Sequence, residues 1–205
     1  MKLYRARFST NVERVALALA HKGLSAEPVW IEYTDRRSVE EISGQGLVPV
    51  LVDDDGTVHI ESMDIVRHLD ERQPDPPLYP ADPARREEML VFIDWFNAVW
   101  KVAPNAIEAE LGKPEPDTAA IERHSAYMAG ALDRFEAMLT GRDHLMGDDF
   151  SAADICAFPF LKYALIRDPE DDELFHRILE EHQPLGDGHP RLAEWIRRVD
   201  QRPRI

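Results

Sequence analysis

The stretch FSTNVERV places hydroxyl and amide side chains directly before an apolar-periodic segment. Thr10 and Glu13 have the spacing of a capping box, which predicts Thr10 as the N-cap of a helix. Ser9 then lies one residue outside the cap, where its hydroxyl would point over the helix N-terminus. Free backbone N–H groups and the helix dipole favour an anion at that place. Asn11 is either an ordinary first-turn residue or a side chain directed at a ligand.

The stretch GLVPVL, at 46–51, interrupts an apolar strand with Pro49. Proline cannot donate to a sheet ladder and belongs on an edge strand or at a bulge. One interpretation is an edge strand that begins with proline. The other is a cis Val48–Pro49 bond at a special turn, which would leave nearby backbone groups free to pair with a ligand.

The stretch IESMD, at 60–64, places Glu61 and Ser62 before a further helical pattern. Ser62 has the residue type of an N-cap. The same position also suits a ligand, because a helix N-terminus offers backbone donors to a carboxylate and Ser62 adds a hydroxyl. Glu61 can bind an ammonium group, so the pair fits the end of an α-amino acid, which presents both charges side by side.

Short apolar runs alternate with helical stretches as far as about residue 73, in the order strand, helix, strand, helix, strand, strand, helix. Asp55-Gly56 between the third and fourth strands is a strong hairpin signal. This alternation predicts a mixed sheet with helices on its faces, in a domain covering 1–75. A proline-rich connection near 74–83 follows. Beyond it the pattern is helical, which predicts an all-α domain over 84–205, with helices at 84–111, 118–140, 152–166, 171–182 and 190–201.

The composition excludes several classes of protein. A net charge of -15 argues against a protein that binds duplex nucleic acid or an anionic membrane surface. No run of residues reaches the length of a membrane span, and the first residues lack the apolar core of a signal peptide. The single cysteine, Cys156, forms no internal disulfide and is expected in the core, which favours a reducing cytoplasm.

The sequence lacks the motifs of several other enzyme classes and cofactor-binding sites. The sequence contains no HExxH, CxxC, GxSxG, P-loop or GxGxxG pattern. The eight histidines are not paired with cysteines, so no metal site is expected from spacing. The acidic run at 53–55 is interpreted as a solvated hairpin.

Together, the stretches STNVERVALAL, GLVPVL, ESMDIVRHL and SAADICAFP resemble a cytosolic glutathione S-transferase of a bacterial, serine-type or Nu-like class, over essentially the whole chain. The resemblance implies the glutathione transferase fold, a thioredoxin-like α/β domain followed by an all-α domain. It also implies glutathione as co-substrate, a small hydrophobic electrophile or a disulfide as second substrate, and a homodimer. In the fourth stretch, Ser151 and Asp154 resemble the family's helix-capping signature.

The resemblance also assigns roles to the residues described above. Ser9 resembles the serine of serine-type classes, whose hydroxyl faces the glutathione sulfur. Asn11 resembles the asparagine that follows Thr-Pro in Nu-like members, which reduce disulfides with glutathione, and Thr10 stands here where those members have proline. Val48 resembles the residue whose backbone pairs with the cysteinyl part of glutathione, held by cis-Pro49. Glu61 and Ser62 resemble the pair that holds the γ-glutamyl end.

One departure is Leu47, which stands where the family often has Lys or Gln. Glutathione is then less well anchored unless Arg36, Arg37 or Gln45 compensates. This departure favours an alternative function, a non-catalytic module of the same fold that binds a partner protein. The aromatic stretch at 92–104 is interpreted mainly as core, with some of its members available to an apolar substrate pocket.

Overall fold

The computed structural model describes residues 1–205, which divide into two compact units. Met1–Pro80 forms the first unit together with the last residues, Arg202–Ile205, and Ala81–Gln201 forms the second. The C-terminal residues attach to the first unit through polar contacts. Arg5 donates to the main-chain oxygen of Ile205 at 2.6 Å, and Arg204 pairs with Glu13 at 2.8 Å. The sequence pattern did not predict this return of the chain.

The first unit is a four-stranded mixed sheet with three helices. Its elements are β1 (Lys2–Arg5), α1 (Thr10–His21), β2 (Glu27–Trp30), α2 (Arg37–Ser43), β3 (Val50–Val52), β4 (Val58–His59) and α3 (Ser62–Arg72). The strand order is β2-β1-β3-β4. β1 pairs in parallel with β2 and antiparallel with β3, and β3 pairs antiparallel with β4. The predicted order of strands and helices is confirmed.

Local sequence explains two elements of this unit, the helix α1 and the turn between β3 and β4. The apolar-periodic segment that begins in FSTNVERV forms α1, and its Val15 and Leu19 are fully inaccessible to solvent. The Asp55-Gly56 hairpin is also confirmed. Gly56 has φ +87°, a left-handed conformation that glycine adopts without strain, and the Asp55 carboxylate accepts from the Thr57 N–H at 2.9 Å.

The second unit is helical throughout. Its helices are α4 (Pro83–Trp95), α5 (Val102–Leu111), α6 (Thr118–Met138), α7 (Ala152–Leu161), α8 (Leu174–His182) and α9 (Pro190–Asp200). The single helix expected over 84–111 is interrupted by a π-helical turn, Phe96–Trp100. The hydrophobic pattern continues through that turn and does not signal the change of hydrogen-bond period. No helix of either unit has the length and apolar character of a membrane span.

The aromatic residues of α4 and the π turn belong mainly to the core. Phe96 and Trp100 are inaccessible to solvent, and their rings stack with centroids 4.5 Å apart. Phe92 is buried as well, whereas Trp95 is half-buried. Cys156 is a free, fully buried thiol, as expected.

The Asp154 carboxylate organises the start of α7. It accepts from the main-chain N–H and the hydroxyl of Ser151, both at 2.9 Å, which confirms the predicted capping box. Its other oxygen accepts from the Leu145 N–H at 3.0 Å and from the Trp195 indole N–H at 2.8 Å. One buried carboxylate therefore connects α7, α9 and the preceding loop.

Asp154→Ala should be strongly destabilising because it leaves several buried donors without an acceptor. We expect a loss of roughly 3–5 kcal/mol in the free energy of unfolding of the helical unit, measured by urea denaturation. Asp149→Ala is the matched control, since Asp149 is exposed and its side chain makes no hydrogen bond. Equal losses for the two variants would contradict this role of Asp154.

Candidate functional site

The sheet register brings the three predicted ligand-binding stretches to one end of the first unit. β1 and β3 are antiparallel with Tyr4 opposite Val50, so the end of β1 lies beside the start of β3. β3 and β4 are antiparallel with Leu51 opposite His59, so the end of β4 lies beside the start of β3 as well. The stretch before α1, the Val48–Pro49 segment and the stretch before α3 therefore meet at this end of the sheet.

The start of α1 differs from the prediction by one residue. Ser9 is the N-cap, and its hydroxyl oxygen accepts from the Val12 N–H at 3.3 Å. The prediction of Thr10 as the cap was wrong, because Thr10 is the first helical residue and is only 6 % exposed. Phe8 has φ +62°, which turns the chain sharply out of β1 and starts the helix one residue earlier than the capping-box spacing implies.

The cap leaves hydrogen-bonding capacity at this helix end. The main-chain N–H groups of Thr10 and Asn11 make no hydrogen bond within the chain, as expected for the first residues of a helix. The Ser9 hydroxyl accepts one bond and retains its own proton to donate. The α1 N-terminus therefore offers several donors and the positive end of the helix dipole to an anion.

The start of α3 also has an unusual backbone. Glu61 precedes the helix with φ +63°, a conformation that costs a non-glycine residue of order 1–3 kcal/mol. Glu61 is the N-cap residue but makes no side-chain capping bond, so the prediction of Ser62 as the cap was wrong. The N–H groups of Ser62, Met63 and Asp64 have no acceptor within the chain. Such strain occurs often at ligand-binding sites, and here it sets an exposed carboxylate beside an uncapped helix end.

A buried arginine joins the two helix ends. The guanidinium of Arg14 donates to the Ser62 hydroxyl at 3.1 Å and to the Asn11 side-chain oxygen at 3.2 Å. The Ser62 hydroxyl lies 3.5 Å from the same Asn11 oxygen. Arg14 is only 1 % exposed, although its side chain is charged. Of the predicted site residues, Asn11 and Ser62 are thus linked by a residue that the sequence analysis missed.

The only sequence signal for Arg14 is its place in the helical pattern. It lies among the apolar residues that form the buried face of α1, where a charge is costly unless it is hydrogen-bonded. Leu17 and Ala18, three and four residues further on, share its side of the helix, so an arginine beside two apolar residues is the signal that would have found it.

The Val48–Pro49 peptide bond is cis, the isomer that the second interpretation of GLVPVL predicts. The Val48 side chain packs against the core cluster of Ala6, Ile31, Val39 and Val50. Its main-chain N–H and C=O enter no hydrogen bond within the chain. Val48 is therefore a fixed residue with a free donor and a free acceptor at the sheet end.

The segment before Val48 is held by neighbouring side chains. Gln45 donates to the Leu47 carbonyl at 3.0 Å and accepts from the Leu47 N–H. Arg36 donates to the Gly46 carbonyl at 2.6 Å, so its guanidinium lies beside this segment. Arg37 instead pairs with Asp35 at 2.6 Å, and its hydrogen bonds lower the pKa of Asp35 to about 2. Of the two arginines, Arg36 is the one positioned next to Leu47.

Two protein-family models match the chain, one in each unit. The model described as glutathione S-transferase, N-terminal domain, matches residues 3–77, and the model described as glutathione S-transferase, C-terminal domain, matches residues 118–198. The two matches together cover most of the chain.

Individual proteins show the same similarity. Glutathione S-transferase Z1 of Arabidopsis thaliana is 30% identical over 82% of this chain and 78% of its own length. GstB of Escherichia coli is 28% identical over 96% of this chain and 91% of its own. The crystal structure of a glutathione S-transferase from Methylobacillus flagellatus with glutathione bound superposes on this chain with a TM-score of 0.81. The superposition covers 98% of this chain and 95% of the other. Because the two sequences are only 24% identical, this similarity shows the fold alone.

Ser9→Ala should weaken the start of α1 because it removes the hydroxyl that accepts from Val12. We expect a loss of about 1 kcal/mol in the free energy of unfolding, measured by urea denaturation. Ser9→Thr retains a capping hydroxyl and should lose only a few tenths of a kcal/mol. If both variants unfold at the wild-type urea concentration, Ser9 does not cap the helix.

Proposed function

This chain belongs to the glutathione S-transferase family, and from that premise we propose that it binds glutathione and activates the thiol for attack on an electrophile or a disulfide. The observation that carries the proposal is the convergence of free backbone groups with Ser9, Val48 and Glu61 at one end of the sheet. An extended tripeptide with one amino acid terminus is complementary to that arrangement. Each of its parts finds a partner of the required chemistry.

The γ-glutamyl end of glutathione binds at the start of α3. Its α-carboxylate accepts from the free N–H groups there and from the Ser62 hydroxyl, and its ammonium pairs with Glu61. Arg14 supports this carboxylate because its guanidinium contacts Ser62 directly. Arg14 is a positioning residue in this account, since it acts through Ser62.

The cysteinyl part pairs with the main chain of Val48, whose N–H and C=O are both free. This contact resembles the addition of one strand residue to a sheet edge, with affinity provided by main-chain hydrogen bonds. It sets the direction of the tripeptide and so places the thiol over the start of α1.

Ser9 stabilises the thiolate that is the nucleophile. A serine hydroxyl is too weak a base to deprotonate a thiol at neutral pH, so Ser9 acts by donating a hydrogen bond to the charged sulfur. A free thiol has a pKa of about 8.5, and lowering it by two units requires about 2.7 kcal/mol. A charge-assisted hydrogen bond of ~1.5–3 kcal/mol and a helix N-terminus of ~0.3–1 kcal/mol reach that sum.

The neighbours of Ser9 add further donors. The Asn11 side-chain oxygen faces Arg14, which leaves its amide NH₂ free to donate toward the sulfur. Thr10 contributes its main-chain N–H, since its side chain is buried. Both groups favour the charged form of the sulfur.

The second substrate is a small hydrophobic electrophile or a disulfide. A thiolate attacks either one, by displacement at an electrophilic carbon or by exchange at a disulfide sulfur. The active form is proposed to be a homodimer, as is usual for the family.

The proposal is tested with immobilised glutathione, followed by assays of chlorodinitrobenzene conjugation and of glutathione-dependent disulfide reduction. We expect retention on the resin, elution by free glutathione and turnover in at least one assay. Retention on the resin without turnover in either assay would favour the alternative, a non-catalytic module of this fold that binds a partner protein. The absence of both retention and turnover would favour the same alternative.

Ser9→Ala should lower the rate ten- to a hundredfold in whichever of the two assays shows turnover. The physical reason is that the thiolate loses about 1.4–2.7 kcal/mol of stabilisation. Ser9→Thr is the matched control and should retain most of the rate, since it keeps a donor hydroxyl. Rates that are equal in Ser9→Ala and wild type would contradict the role of Ser9.

Arg36→Met should raise the KM for glutathione by about ten- to a hundredfold, because Arg36 takes over the anchoring that Leu47 does not provide. One charge-assisted hydrogen bond contributes ~1.5–3 kcal/mol. Arg37→Met is the control: it removes the same charge from a guanidinium that is paired with Asp35. A KM that rises equally in both variants would indicate only a general loss of positive charge.

A further inference from the structure

A second cluster of chemically capable side chains lies on the β3–β4 hairpin and on α3, which packs beside it. Asp53 follows β3 directly, His59 ends β4, and His68 lies in the middle of α3. The three residues come from a strand end, a strand and a helix, and their spacing in the sequence matches no metal-binding motif. Only the folded hairpin and the helix packed beside it bring them together.

Both histidine rings converge on one carboxylate oxygen. The Asp53 Oδ2 lies 2.8 Å from the His68 Nε2 and 3.3 Å from the His59 Nε2. The two imidazole rings stack with centroids 3.9 Å apart and an angle of 23° between their planes. All three potential ligand atoms lie within 4.8 Å of one another.

These separations are close to those of ligands on a single metal ion. Zn²⁺ binds histidine nitrogen at about 2.0–2.1 Å and carboxylate oxygen at about 2.0–2.2 Å, so two ligands of a tetrahedral site lie about 3.3 Å apart. The two nitrogen–oxygen distances here are 2.8 and 3.3 Å. Small side-chain rotations therefore suffice to place one cation between the three atoms.

The surroundings hold Asp53 in place and leave its second oxygen to the histidines. The Asp53 N–H donates to the Thr57 carbonyl at 2.9 Å, which fixes the hairpin. Its Oδ1 accepts from Arg72 at 3.2 Å, and Arg72 also donates to Asp54 at 3.1 Å. Such outer partners orient a ligating carboxylate and are typical of metal sites.

The cluster is also accessible. The side chains of His59 and His68 are 23 % and 27 % exposed, and that of Asp53 is 8 % exposed. An ion can therefore enter from solvent, and a fourth coordination position remains open to water.

We propose that Asp53, His59 and His68 form a binding site for one divalent transition-metal ion of the zinc type. Two imidazole nitrogens and one carboxylate oxygen suit Zn²⁺, Ni²⁺ or Cu²⁺, whereas Mg²⁺ and Ca²⁺ require oxygen ligands. The site does not include Ser9, Val48 or Glu61, and its test uses no glutathione. The sequence analysis expected no metal site because it searched for local motifs. A site whose ligands are brought together by tertiary structure contains no such motif.

The experiment uses the full-length, untagged protein, stripped of metal with a chelator and kept free of thiols. It is titrated with ZnCl₂ by calorimetry, and with CoCl₂ while the visible absorption of Co²⁺ is recorded. We expect one equivalent of Zn²⁺ to bind, and a Co²⁺ spectrum with the intensity of a four-coordinate site. The only cysteine, Cys156, is fully buried and does not compete for the ion.

The variants His59→Gln and His68→Gln identify the ligands. Glutamine keeps a side-chain donor for Asp53, so the fold is preserved while the imidazole is lost, as circular dichroism will verify. Each variant should weaken Zn²⁺ binding at least about tenfold, and the double variant should abolish the stoichiometric step. His124→Gln is the matched control, because His124 is also half-buried and makes no hydrogen bond.

Two results would overturn the proposal. One is the absence of a stoichiometric binding step in the wild-type protein, which would make the cluster a hydrogen-bonded one only. The other is Zn²⁺ binding of unchanged affinity in the double variant, which would place the ion elsewhere. Neither result bears on glutathione binding, which has its own assays.

Discussion

The contact of the buried Arg14 guanidinium with Asn11 and Ser62 is the interaction on which the candidate site depends. It fixes the first turn of α1 against the first turn of α3, so two helix N-termini are held near one another. Each N-terminus carries the equivalent of about half a positive charge, and Arg14 adds a full one. Helix N-termini and a guanidinium all favour anions, which is the basis for the proposal that the carboxylate and the thiolate of one ligand bind here.

The backbone around this contact departs from what local stability alone would favour. Phe8 and Glu61, the two non-glycine residues with positive φ, stand at the entrances of α1 and α3. Val48, the uncapped start of α3 and the first N–H groups of α1 leave main-chain donors and acceptors without partners in the chain. Polar backbone groups need a partner, so these positions bind water in the free protein and are the groups that the proposed tripeptide would use.

Local patterns predicted much of this architecture. Alternating strand and helix signals gave the order of the first unit, Asp55-Gly56 gave its hairpin, and the spacing of Ser151 and Asp154 gave the capping box. These features depend on neighbouring residues, so they are readable from the sequence. The cap of α1 was misplaced because Ser9 and Thr10 are adjacent hydroxyl residues, and the backbone turn at Phe8 decides between them.

What the sequence could not predict depends on contacts between distant residues. The three candidate ligand-binding stretches were predicted individually, and only the sheet register places them at one end of the first unit. Arg14 has a role only because α3 packs beside α1, and the cluster of Asp53, His59 and His68 exists only after the hairpin meets that helix. The π turn at Phe96–Trp100 has no local signal of its own.

The most direct measurement for the central claim is the pKa of the glutathione thiol when bound to the protein. It is obtained from the ultraviolet absorbance of the thiolate in a pH titration of the complex, with free glutathione as reference. The account predicts a bound pKa of about 6.5, two units below the free thiol, and a return toward about 8.5 in Ser9→Ala. A bound thiol that titrates like free glutathione in the wild-type protein would contradict it.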